Sequence, residues 1–421
     1  MHTKHTFPNK LRLITKPLEG TKAVTIMVLV GAGSRYETKE INGIAHFLEH
    51  MFFKGAKKFK NTKEVSEAID GIGGDFNAFT GKEYAGYYVK VAGTKIETGL
   101  DVLSDMLLHA RFDENEIEKE RGVILEELNM YKDAPMYQIG WDFEQTIFGD
   151  QPLGWDQIGT PELIKSVTKK QFQDFKDKLY TPDNTVITIV GDIKHQQAVK
   201  LVEKYFQFND TQKAFNFKAF QNLKNKPQIK VTNKKTEQAH LYLGFPTIKS
   251  TDKRYWTQKV LSSILGGNMS SRMFLNVREA QGLCYYVNTS IDSYLDAGSF
   301  ATRAGVDTTR IQDAIQAILK EFSNIKGETI SPEELTKGKE YLKGKMILRL
   351  EESENYASLL AEEELLTNEI KDLKEIINEI DSVTSKDIED FTNEFFKEEN
   401  LHLTVIGPYQ EADFHGKLKL N

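Results

Sequence analysis

Two stretches of this 421-residue chain repeat each other at a fixed distance, and that repeat limits the available folds more than any other feature. Residues 167–175 read VTKKQFQDF and residues 383–391 read VTSKDIEDF. Residues 185–191 read TVITIVG and residues 401–407 read LHLTVIG. Both pairs are offset by 216 positions (167 to 383, 191 to 407). Each copy reads as an amphipathic helix, a short loop and a buried β-rich strand ending at glycine. One such match could arise by chance; two in one register point to duplication of half the chain.

The remaining segments pair in the same order. Residues 9–30 read as two strands, and so do residues 228–244. A helix around His46 is answered by one over residues 255–265. Residues 74–91 alternate like strands, as do residues 284–305. A helix over 95–109 is answered by one over 309–322. Asp113 with Glu116, and Ser331-Pro332 with Glu334, carry helix-start signals. The join falls in residues 209–227, a polar stretch rich in Asn and Lys. The expected fold class is α+β: two homologous α/β-sandwich domains, each a mainly antiparallel sheet covered by helices. Residues 1–215 form the first and 216–421 the second, which suits a chain longer than one core usually supports.

Composition excludes some partners. The formal charge of −7 is spread along the chain, and no basic block offers a nucleic-acid surface. The longest apolar run, residues 23–30, is too short to cross a bilayer and suits a buried strand. The N-terminus carries no apolar leader segment, and Cys284 stands alone, so no disulfide framework is expected. A reducing compartment, the cytoplasm, is the expected address.

Chemistry enters at His46-Phe47-Leu48-Glu49-His50. Two histidines four apart share one face of a helix, so both imidazoles can reach one cation. Glu49 sits beside them as the acid–base group for an activated water. This is the reversed zinc-peptidase pattern, H-x-x-E-H. Catalytic zinc takes three protein ligands and leaves one position open. The segment 116–133 offers acids for the third. Glu120 and Glu127, seven apart, share a helical face, whereas Glu126 points about 100° away. Spacing alone leaves the choice open, because these acids could equally solvate a charged helix.

These motifs, with Glu120-Arg121-Gly122-Val123-Ile124-Leu125-Glu126-Glu127, resemble the pitrilysin family of zinc peptidases, which includes insulysin and mitochondrial processing peptidase. The resemblance covers essentially the whole chain and fits the half-length bacterial type. It implies one zinc per chain held by His46, His50 and Glu127, with Glu49 as general base and Glu120 as a supporting acid. It implies that Gly74, Phe76, Asn77, Ala78 and Phe79 form a strand beside the metal where peptide pairs. Arg278 and Tyr285 resemble the family's Arg/Tyr element, which holds the substrate backbone and reacting carbonyl. Where the family has a basic residue before Gly282-Leu283, this chain has Gln281. The implied activity is metalloendopeptidase cleavage of short or unfolded peptides within a dimer chamber. A homodimer is expected, a heterodimer is the alternative, and a non-catalytic peptide-binding scaffold is the competing function.

The second half is not expected to bind metal. Shifting His46 and His50 by 216 or 218 reaches Ser262, Ile264, Gly266 and Asn268, and Glu127 reaches Lys343 or Lys345. An ammonium has no lone pair to donate. His109 is expected to be packed or at an edge and not a ligand, and His2 and His5 are expected in an N-terminal tail. His195, His240, His402 and His415 lack ligand spacing. Cys284 is expected as packing, Gly266-Gly267-Asn268 lacks the ending of a phosphate loop, and the acidic run 351–354 is expected on a solvated helix surface.

Overall fold

A computed structural model of the chain describes residues 2–209, 211–222 and 228–420. The expected join, residues 209–227, lies partly outside them. The chain forms two compact units: Met1–Leu128 with Asp156–Lys218 and Ile347–Asp372, and Asn129–Trp155 with Ala219–Met346 and Leu373–Asn421.

The first unit is built on β1 (Thr3–Thr6), β2 (Arg12–Pro17), β3 (Ala23–Val30), β4 (Asp75–Thr80), β5 (Ala85–Ala92) and β6 (Thr185–Gly191), in the order β1-β2-β6-β3-β5-β4. β2 and β6 run parallel and the other neighbours are antiparallel. β3 is buried along nearly its whole length, as its unbroken apolar run requires, because helices cover both faces. Met27 and Leu29 pack with Ala357, Leu360 and Ala361 of the helix Ser353–Thr367. On the other face Ile26 meets Gly99 of the helix Ile96–His109.

The second unit holds β7 (Ile229–Asn233), β8 (Gln238–Thr247), β9 (Cys284–Ser293), β10 (Gly298–Asp307) and β11 (His402–Gly407), in the order β7-β11-β8-β10-β9. Here β7 and β11 are the parallel pair. Without β1, the two orders correspond strand for strand, so the duplication read from sequence is a duplication of topology. The matching helices Lys169–Leu179 and Ser385–Phe395 both start with capping boxes, at Thr168/Gln171 and Thr384/Asp387.

The two halves of the repeat are not identical with the two compact units. The helix Pro135–Phe148 belongs to the second unit, where Phe143 stacks on Tyr242 of β8 at 5.0 Å. The helix Ser353–Thr367 belongs to the first. Shifted by 216 the former overlaps the latter, so each repeat gives the equivalent helix away.

Two local expectations need correction. Residues 3–6 are not a tail: they pair with β2 as an edge strand, and His5 packs on Phe7 at 4.6 Å. The acidic run 351–354 is not one helix surface. Glu351 and Glu352 lie between two helices, and Ser353 is buried with its hydroxyl 2.8 Å from that of Thr25. An acidic string hid a junction between two helices, tied to the sheet through Thr25 and through Lys90, which lies 2.9 Å from Glu354.

Candidate active site

The helix Ile44–Phe52 buries Ile44, Phe47, Leu48, Met51 and Phe52 on one side, at the spacing of an amphipathic helix. Phe47 packs edge-on against Phe172 at 4.9 Å and Phe52 against Tyr87 at 5.4 Å. Burying each such ring contributes about 1.5–3 kcal/mol, which fixes the rotation of the helix. His46 and His50 then share a face, with ring centroids 4.7 Å apart.

The helix starts at Gly43, at φ +96°, where a Cβ would come within 2.2 Å of the Ile158 carbonyl oxygen. Gly43 has no side chain to cap with. Glu37 caps from outside: Oε2 accepts from Gly43 N and Asn42 Nδ2, both at 2.9 Å, and Oε1 from Ala45 N at 2.8 Å. Glu37 is 4% exposed. Burial pushes its carboxyl up to about 7, against the opposing pull of these donors and of Lys82.

The facing helix, Glu114–Asp133, buries Ile117, Glu120, Ile124 and Leu128. The Arg121 guanidinium ties it down by donating to the Ile164 and Val167 carbonyls. Glu120 and Glu127 turn toward the histidines, and Glu126 is exposed. Glu127 Oε1 lies 3.6 Å from His46 Nε2, and Oε2 lies 3.5 Å from His50 Nε2. These separations are long for hydrogen bonds. They match two donors around one tetrahedral zinc, which at bond lengths of ~2.0–2.1 Å stand about 3.3 Å apart. One ligand atom from each of His46, His50 and Glu127 lies within 4.8 Å of the others, and no other group of this kind occurs among the described residues. The donor set fits a divalent cation of the zinc type.

Glu120 supports this cluster from behind. Its Oε1 is 2.9 Å from His50 Nδ1 and its Oε2 is 2.6 Å from Lys54 Nζ. A proton on Nδ1 facing Glu120 leaves the Nε2 lone pair free for a cation. Burial pushes the Glu120 carboxyl up, but bonds from His50 and Lys54 outweigh it and hold the group below the usual range. His46 likewise holds Glu127 low, against the effect of burial.

Glu49 receives a hydrogen bond from the Thr80 hydroxyl at 2.5 Å. Thr80 ends β4, the edge strand, whose outer side pairs with no strand among the described residues. Gly74 immediately precedes β4. Phe76, Ala78 and Phe79 are half-buried and Asn77 exposed, with Asn77 Oδ1 accepting from Ala78 N at 2.9 Å. Arg278 and Tyr285 belong to the second unit. Arg278 sits on a π-helical segment, Phe274–Glu279, with its guanidinium 4.6 Å from the Phe274 ring and 3.5 Å from Glu279. Tyr285 is 75% exposed. Glu37, Lys54 and Thr80 carry no motif of their own; each joins the site through folding of distant segments.

The sheet order, the exchanged helices and the two-histidine, one-carboxylate cluster define a class of protein. The family model "Insulinase (Peptidase family M16)" matches residues 12–158, and "Peptidase M16 inactive domain" matches residues 166–342. The chain belongs to this peptidase family, which includes pitrilysin. It is 38% identical over 412 residues to a Bacillus subtilis protein named uncharacterized zinc protease YmxG, covering 97% of this chain and 98% of the relative. A Mycobacterium leprae protein, also named an uncharacterized zinc protease, is 32% identical over 96% of this chain and 91% of its own. A Helicobacter pylori protease of known structure superposes with a TM-score of 0.91 at 26% identity, over 97% of this chain and 99% of that one. A Pseudomonas fluorescens peptidase M16 inactive domain, at 17% identity and a TM-score of 0.90 over 97% and 98%, shares the fold. Among the described residues no helix is long and apolar enough to cross a membrane.

Proposed function

We propose that the chain is a zinc-dependent endopeptidase acting on short or unfolded peptides. The carrying observation is the convergence of His46, His50 and Glu127 at ligand spacing, with Glu49 on the same helix. One zinc per chain supplies Lewis acidity there, making water a nucleophile near neutral pH and polarising a peptide carbonyl. Glu49 takes the proton of the attacking water and passes it to the leaving amine. Glu120 keeps His50 in the ligating tautomer.

Peptide pairs along β4, from Gly74 to Phe79, by adding a strand to the open edge. Backbone pairing binds extended chains with little demand on sequence. Arg278 and Tyr285 hold the substrate backbone and the developing oxyanion. By the family resemblance, the chamber is formed by two copies, and these two residues come from the partner subunit. Residues 1–215 thus carry the metal, and residues 216–421 supply the substrate element. The lone Cys284 suits a cytoplasmic address.

Bound zinc, measured by elemental analysis, should be one per chain in the wild type and in Glu49→Gln. Turnover of a quenched peptide by Glu49→Gln should fall by about 10²–10⁴. Zinc should be lost in Glu127→Gln and kept in Glu126→Gln; the reverse result removes Glu127 from the ligand set. Gel filtration of the active species separates a homodimer from a requirement for a different partner, and zinc-free, inert protein would favour a scaffold.

A further inference from the structure

We propose that Thr80 is a positioning residue for Glu49: from the end of the edge strand its hydroxyl sets the direction of the Glu49 carboxylate. This rests on Glu49 being the proton acceptor. The bond runs from Thr80 Oγ1 to Glu49 Oε2 at 2.5 Å. Glutamate is long and rotamer-rich, and on a helix surface it would sample several directions. The Thr80 hydroxyl stands one carbon from the strand backbone, so the strand places it. A hydroxyl-to-carboxylate bond is charge-assisted and holds one orientation.

The strand end is itself fixed. Gln157 Nε2 donates to the Thr80 carbonyl. The following turn is held by Ser34 N to Gly81 O at 3.1 Å and Arg35 N to Lys82 O at 2.8 Å. Arg35 also pairs with Glu83 at 2.6 Å, both buried. Gly33 lies so near this turn that a Cβ would come within 2.4 Å of the Lys82 oxygen. Three residues past Ser34 the same loop reaches Glu37, which caps the helix bearing Glu49.

The contacts close a circuit: helix, capping loop, β-turn, strand end, Thr80 hydroxyl, and back to Glu49. Glu49 is half-buried and could be hydrated without Thr80, so what the bond adds is direction. The strand that would pair with peptide is also the strand that aligns the base.

Thr80→Val removes the hydroxyl at nearly constant volume. Its kcat on a quenched peptide should fall about ten- to a hundredfold, the scale of a small misplacement of a reacting group. KM and zinc content should stay unchanged, and Thr80→Ser should restore most of the turnover. Unchanged kcat, no rescue by serine, or a loss appearing in KM or zinc would each overturn the proposal. Should the valine variant not fold, Thr80→Ala against Thr80→Ser makes the same comparison.

A second readout needs no activity. In metal-free protein, Thr80→Val should lower the denaturant midpoint when Glu49 is present and leave it unchanged in Glu49→Ala. Equal shifts in both backgrounds would refute the contact. If the wild type cleaves no peptide, the peptidase reading fails, and the midpoint cycle still decides whether Thr80 holds Glu49.

Discussion

The helix Ile44–Phe52 of the first unit and the helix Tyr255–Gly266 of the second occupy matching places in matching sheets, yet their equivalent positions do opposite things. Where the first has His46, the second has Ser262 or Ile264, depending on the register, and the Ser262 hydroxyl donates to the Thr289 carbonyl at 3.1 Å. Where the first has His50, the second has Gly266 or Asn268, and Gly266 is packed so tightly that a Cβ would come within 2.2 Å of Thr289 Oγ1. Glu127 is answered by Lys343 or Lys345, depending on the register, and Lys343 pairs with Glu340 at 2.6 Å and Asp381 at 2.8 Å. Duplication preserved the scaffold and not the chemistry. In the second unit the corresponding helix is packed directly against Thr289 of β9.

The largest test gives the first unit the residue of the second. Glu127→Lys should reduce bound zinc and turnover to background, because an ammonium both lacks a lone pair and repels the cation. Retained zinc would break the comparison. Next comes the support behind His50. Glu120→Ala should weaken zinc binding about 10–100-fold, measured by competition with a chromophoric chelator.

The Glu37 cap has no counterpart in the usual sequence signals, and its effect depends on pH. Its carboxyl stands at about 7 when folded, against 4.5 as the ordinary value. The folded state therefore holds its proton more tightly, and stability from this group falls as pH rises between those values. The stability of wild type relative to Glu37→Gln should decline across that window by on the order of 3 kcal/mol and be flat on either side. A denaturant series at pH 4 to 8 measures it; a difference that grows with pH would contradict the burial argument.

The smallest effect is expected from returning an acid to the second unit. Lys343→Glu should leave zinc at one per chain, since no residue answering His46 or His50 is a histidine, and should lower the melting temperature by only about a few degrees, because a carboxylate then faces Glu340 and Asp381.

Much of the fold was legible because duplication wrote it twice: strands β2 to β11 fall where alternation and apolar runs placed them. The short edge strand β1 was not, since residues 3–6 carry no apolar run and become a strand only by pairing with β2. The exchange of Pro135–Phe148 and Ser353–Thr367 was also invisible. An amphipathic helix states that one face must be buried, not which sheet will bury it.

By itself the sequence determined the duplicated α+β architecture and placed two histidines and Glu49 within two helical turns, because those relations are local and periodic. It left the third donor open between acids that spacing could not separate. Tertiary structure decided that Glu127 faces both imidazoles, that Glu120 stands behind one of them, and that Glu37 and Thr80 hold the helix and its carboxylate. Each of those contacts joins segments that meet only when sheet and helices pack, and no local periodicity encodes such a meeting.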